Sequence, residues 1–220
     1  MAKIEDGITG GISGRIGNII GANWRGKNYI RIKPAHHHDL KSEKQIAQRL
    51  KFELISSFTR EFRNLIKNES WGKYAKKMTA KNLFIKTNIK AIENDGSICD
   101  FSKLKLSIGN IFLPKEIKVQ QDSKKTQNID ISWKDAEDLK ITRTNDWVNI
   151  IILNKERWNA RPSFFLRCCR RSENHISIYL RNIEEYEKIE IYIYFYDEEL
   201  NKYSESMHTG LLIKQNPSSS

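Results

Sequence analysis

The chain has 220 residues, 39% of them hydrophobic and 30% charged, with a formal charge of +11 and a mean hydropathy of -0.62. That supplies one large domain or two small ones, and the absence of any run of 18 apolar residues excludes a helical membrane protein. Cys99, Cys168 and Cys169 exclude a disulfide scaffold, because a ring closed between adjacent cysteines is strained, and without a CxxC pair there is no zinc site to expect. The opening MAKIEDG lacks the apolar core and small-residue cleavage site of a secretory signal, so synthesis in a cytoplasm is expected.

The first predicted element is a glycine-rich stretch, Gly7 to Pro34. It holds Gly7, Gly10, Gly11, Gly14, Gly17, Gly21 and Gly26 and closes on the strand-like Tyr29-Ile30-Arg31-Ile32-Lys33. Each interior glycine costs a helix about 1 kcal/mol relative to alanine, so the stretch reads as an extended or looped β-arm. A missing Cβ lets another backbone come close. Gly10, Gly11, Gly14, Gly17, Gly21, Trp24 and Gly26 are therefore candidate protein-contact residues, through a partner or under the following helices. Gly21 to Lys27 also spells GxxxxGK, but a phosphate loop needs Ser or Thr next and then a helix. Asn28 and a strand follow instead, so no nucleotide or other cofactor is expected. Arg15, Arg25, Lys27, Arg31 and Lys33, with Trp24 and Tyr29 between them, form the basic and aromatic mixture that suits single-stranded nucleic acid.

The string GGISGRIGNIIGANWRGKNYIRIKP, Gly10 to Pro34, resembles the opening of an uncharacterised family of proteins of about this length found in Bacteroidota and some of their phages. Its pattern, G-G-[FI]-S-G-[KR]-[VI]-G-x-[VI]-[VI]-G-x-x-W-[KR]-G, is met by Gly10, Gly11, Ser13, Gly14, Gly17, Gly21, Trp24 and Gly26. The order of later elements and the turn Ser107-Ile108-Gly109-Asn110 are also similar. The resemblance implies membership and brings no catalytic residue.

His36, His37 and His38 follow; neighbours on a chain point in different directions, so a solvated linker is expected rather than a metal site. Ser42 and Gln45 form a capping box that opens a helix to about Lys67. Ile46, Leu50, Leu54, Ile55, Phe58, Phe62, Leu65 and Ile66 make its apolar face, and Arg49, Arg60, Arg63 and Lys67 fall together opposite. That basic stripe is a second nucleic-acid candidate. Another helix is expected from Trp71 or Tyr74 to Ile92, with Tyr74, Ala75, Met78, Ile85 and Ile89 buried, giving a helical hairpin that stops at Asn94-Asp95-Gly96.

From Phe101 the hydrophobic period becomes two. Leu104 to Ile108, 115–119, 129–133, 148–152, 163–167, 176–180, 189–195 and 207–213 read as antiparallel strands. Trp133 lies in a string, IDISWKDA, that resembles the Trp-bearing strand of fibronectin type III and immunoglobulin-like modules. Tyr192 and Tyr194, opposite Ile191 and Ile193, offer an aromatic face for a partner or a second sheet. The expected fold is α+β: a Gly-rich arm and helical hairpin in residues 1–96, then an immunoglobulin-like β-sandwich in 97–220.

No GxSxG, HExxH, paired CxxC or dinucleotide glycine pattern occurs. Cys168 with His175 has no third group to orient it, and Glu184, Glu185, Glu187 and Glu190 read as a solvated edge. Charge is uneven: residues 1–95 carry 19 Lys and Arg against 9 Asp and Glu, and the rest is nearly balanced. The expectation is a non-enzymatic structural or assembly protein, a phage or prophage virion or tail component acting through other subunits or itself. The alternative is a cytoplasmic nucleic-acid-binding protein.

Overall fold

A computed structural model describes residues 3–4, 11–24, 26–35, 41–68, 70–95, 97–98, 100–122, 127–136, 144–157, 161–181, 183 and 187–213. The chain divides into two compact units, Met1–Ser42 and Glu43–Ser220, called here the arm and the body. The sequence places the boundary near residue 96. The difference has a packing cause: the helical residues and the first face of the main sheet share one core.

The arm is an antiparallel sheet of four strands in chain order, β1 (Lys3–Ile4), β2 (Ile12–Ile16), β3 (Ile19–Trp24) and β4 (Lys27–Ile32). Two-residue hairpin loops join the last three. Gly17, at φ 55°, takes the first central position between the paired Ile16 and Ile19, where a type II′ turn demands positive φ. Gly21 has the other use foreseen for glycine. The Ile12 carbonyl oxygen lies 2.2 Å from where a Cβ on Gly21 would stand, so the start of β2 crosses directly over it.

The body begins with α1 (Glu43–Glu61), α2 (Arg63–Asn68), α3 (Ser70–Tyr74) and α4 (Ala80–Asn88). The expected hairpin is thus a cluster of shorter pieces. The second helix breaks because Thr79 is extended and its hydroxyl accepts the Asn82 N–H at 3.2 Å, capping a fresh helix start. Tyr74, expected buried, is 36% exposed, and Ala75 and Met78 are half-buried in the break. On α1, Ile46 is 53% exposed, so the first turn stands off the core.

Residues 104–108 are no strand. A 3-10 turn at Phe101–Lys103 leads into an irregular run whose Leu104 and Leu106 plug the helical core. Ser107 Oγ donates to the Ser204 carbonyl at 2.8 Å, and a Cβ on Gly109 would meet the Tyr203 carbonyl oxygen at 1.8 Å. The Ser-x-Gly-Asn string is therefore a seat against another backbone.

Among the described residues, seven longer strands and one short one follow: β5 (Glu116–Gln121), β6 (Asn128–Lys134), β7 (Trp147–Asn154), β8 (Ser163–Arg170), β9 (His175–Tyr179), β10 (Lys188–Asp197), β11 (Lys202–Tyr203) and β12 (Met207–Leu212). They form a three-stranded sheet, β5-β6-β9, and a five-stranded sheet, β11-β10-β7-β8, with β12 also paired to β10. All pairs are antiparallel. One face of β7 and β10, with Val148, Ile150, Ile152, Ile189, Ile191, Ile193 and Phe195, packs with Ile129, Ile131 and Trp133 of β6. The other face, with Ile151, Leu153, Tyr192 and Tyr194, packs on Phe58, Phe62, Trp71 and Phe84. Tyr192 and Tyr194 thus face the helices and neither a partner nor the second sheet; the Tyr192 hydroxyl donates to the Phe101 carbonyl at 2.8 Å. The body is three layers, and the α+β expectation holds.

Candidate functional site

Residues directly opposite in an antiparallel pair share a face. The arm's register sets Ile16, Ile19 and Ile32 in one row across three strands and Gly14, Gly21 and Ile30 in the next. Asn23 and Asn28, opposite each other on the same face, are joined by a 2.7 Å bond from Asn23 Nδ2 to Asn28 Oδ1. Among the described residues of β2 to β4, no charge lies on this face. The reverse face carries Arg15, Ile20 and Arg31 in one row, then Ala22 and Tyr29, then Lys27. The arm is therefore two-faced. One side is isoleucine and amide, the other cationic and aromatic.

The isoleucines are open: Ile16, Ile19, Ile30 and Ile32 are 45%, 44%, 61% and 76% exposed. Of the glycines singled out, Gly11 sits against the Asn28 side chain, Gly14 takes a φ of 107° within β2, Gly17 and Gly26 lie in the two turns, and Gly21 takes the backbone crossing. Trp24 pairs in register with Lys27. Lys33 follows β4, its N–H on the Asn18 carbonyl at 2.7 Å. Gly10, Arg25, the three histidines, Cys99 and Glu184 and Glu185 lie outside the described residues.

The basic stripe is divided between two helices, Arg49 and Arg60 on α1 and Arg63 and Lys67 on α2, with a one-residue interruption at Phe62. Arg63 and Lys67 line a groove with Thr59, Ile66, Thr79, Ala80 and Lys81. Arg60 lines a different one with Arg161, Phe164 and Leu166, and Arg49 is exposed on α1.

Cys168 and His175 stand on different sheets. Cys168 Sγ donates to the Val148 carbonyl at 3.3 Å, and a hydrogen bond with Cys169 holds its thiol below the usual value. His175 lies 3.8 Å from Asp130 on β6. Glu190, expected in a solvated edge, is instead 2% exposed and paired with His208 at 2.6 Å and Lys188 at 3.4 Å. Among the described residues, no group of three His, Cys, Asp or Glu side chains is placed to share a metal ion.

One network carried no sequence signal. Arg171 is 1% exposed; its Nε and Nη2 reach Asp135 at 2.8 and 2.5 Å, and its Nη1 reaches Asp146 at 3.3 Å and the Phe112 carbonyl at 2.9 Å. Trp133 Nε1 donates to the Arg171 carbonyl, and the guanidinium lies 4.4 Å from the Phe195 ring centre. Beside it, Arg170 stacks on Trp147 at 3.4 Å, and Trp147 Nε1 donates to Glu198 at 2.9 Å. Two arginines after two cysteines announce neither partner. The carboxylates come from chain segments 25 and 36 residues away.

The class these features define is an α+β protein that pairs a layered body with a glycine-rich, two-faced β-arm. The chain belongs to a family of unknown function, DUF6266, whose model matches residues 11–210. The match takes in β2 to β4 together with the body as far as Gly210, so these three strands of the arm are part of the family region. No curated protein matches the sequence. Among the described residues, no helix is long and apolar enough to cross a membrane.

Proposed function

We propose that this chain is a non-enzymatic structural or assembly protein, most concretely a phage or prophage virion or tail component, acting through protein–protein contacts of its arm. The observation that carries the reading is the open isoleucine face. A sheet gains independent stability from a packed apolar face. Units of about 40 residues usually need a disulfide, a metal or a partner subunit, and the arm contains no cysteine. A contiguous apolar patch bounded by polar groups is the mark of an interaction surface.

The strand partition supports an immunoglobulin-like body. The first, second and fifth of its strands lie on one sheet and the third, fourth and sixth to eighth on the other, with Trp133 buried against Phe195. Such a sandwich serves as a scaffold for docking, though many functions use it. The likeness of the N-terminal pattern to proteins of Bacteroidota and their phages supports the virion setting.

Fractionation of the native source tests the reading. The chain should sediment with particles and stay with them after nuclease treatment in high salt. Recovery as a free chain would contradict it.

A second reading, nucleic-acid binding, is favoured by the reverse face, where Arg15, Lys27, Tyr29 and Arg31 stand together. It requires affinity that falls with log salt by about 0.7 to 0.9 per phosphate contacted, and that Arg15, Lys27 and Arg31 changed to Gln abolish.

A further inference from the structure

Resting on the assembly reading, we infer that the isoleucine face of the arm is covered by the same face of a second copy, the two sheets packing about a two-fold axis. The argument is one of chemistry. Copies of a chain with a formal charge of +11 repel one another. Yet Arg15, Lys27 and Arg31 all project from the reverse face, so apposing the isoleucine faces brings no described cation of these strands against its like. Among the described residues of β2 to β4, the polar side chains on the face, Asn23 and Asn28, already bond to each other. A charged or hydrogen-bonding partner therefore finds little to pair with. A neutral, apolar surface fits, and the open row of Ile16, Ile19 and Ile32, beside the crossing of Ile12 over Gly21, is itself such a surface.

The geometry suits it. Ile16, Ile19 and Ile32 form a row across three strands, a span of about 10 Å at the usual strand spacing, and packed sheets interdigitate such side chains at about 10 Å separation. A two-fold axis through the patch sets the row of one copy against the row of the other. Size then fixes the strength. Three strands by two or three residues project roughly 150 Å², far below the ~800 Å² per partner of a stable complex. The pairing is weak for two free chains and gains strength when many copies are arrayed.

Sedimentation velocity on the full chain, from about 10 µM to about 1 mM, tests this. The mass should rise toward that of a dimer with concentration, and the Ile19→Asp/Ile32→Asp variant should stay monomeric throughout. Since that variant can also unfold the arm, a second measurement uses single cysteines and a short bismaleimide, with the unaltered chain as background. Ile19→Cys should cross-link between copies, and Ile20→Cys, on the reverse face, should not. A chain that is monomeric at every concentration overturns self-pairing, and if it still sediments with particles the assembly reading survives. A dimer unaffected by the Asp variant, or equal cross-linking from both cysteines, also overturns it.

Discussion

Alternating isoleucines build strands in both the arm and the body, with opposite outcomes. In β10, Ile189, Ile191 and Ile193 are fully buried because the three-stranded sheet covers one face, while the helices cover Tyr192 and Tyr194 on the other. In β4 the same alternation leaves Ile30 and Ile32 61% and 76% exposed. A period of two specifies a strand. Whether its side chains contribute the ~1.5 to 3 kcal/mol each that burial gives depends on whether the chain provides a covering layer. The body does so on both faces of its main sheet. The arm leaves this energy unused, and association can recover it.

The comparison breaks most readily in the body. Arg171→Ala takes the guanidinium away from the buried Asp135 and Asp146, and should lower unfolding stability by about 3 to 5 kcal/mol, read from urea midpoints; a loss under about 1 kcal/mol would mean that the carboxylates are satisfied without it. The sharpest contrast is between two isoleucines. Ile191→Ala should cost about 2 to 5 kcal/mol through transfer and cavity terms, whereas Ile32→Ala in the monomer should stay within about 0.5 kcal/mol. Equal costs would show that the arm's face is already covered. Gly21→Val forces a side chain onto the Ile12 carbonyl. It should cost about 1 to 3 kcal/mol and remove the cross-strand amide signals of β2 and β3 from NMR spectra, while unshifted signals would refute the crossing.

The smallest expected effect is one of pH. Burial pushes the Glu190 carboxyl up, but the hydrogen bond and charge of His208, with Lys188, outweigh it and hold the group below 4.5. A carboxyl depressed by folding contributes stability that is present above its unfolded value and is lost as pH falls through the folded one. Stability should therefore decline below about pH 4.5, and Glu190→Gln should flatten that limb in acid denaturation curves. An identical acid limb in the variant would remove Glu190 from the account.

What the sequence reveals follows the same division. The strands of the two body sheets are legible because period-two alternation survives in 129–133, 148–152 and 189–195, where one or both faces are buried. The break at Thr79 and the irregular run at Leu104 are not, since both keep a plausible apolar spacing and are set by a local cap and by docking on Tyr203 and Ser204. In the arm, the glycines read as sites for a partner or for the following helices to approach, whereas the backbone that comes close to Gly21 is the arm's own Ile12. The separation of isoleucine from cation is half visible in Lys27 to Lys33, where the two alternate. It needed the pairing of Ile16 with Ile19, and of Ile19 with Ile32, to become a face. The Arg171 network depends wholly on tertiary structure.

The central claim is that the arm's isoleucines are open in the free chain and covered in the assembly. Isoleucine methyl NMR with a soluble paramagnetic probe measures this directly. In dilute protein the probe should bleach Ile16, Ile19, Ile30 and Ile32 and spare Ile189, Ile191 and Ile193. In the concentrated or particle-bound state the four arm methyls should become protected while the body is unchanged. Arm methyls that remain bleached after assembly would contradict the account.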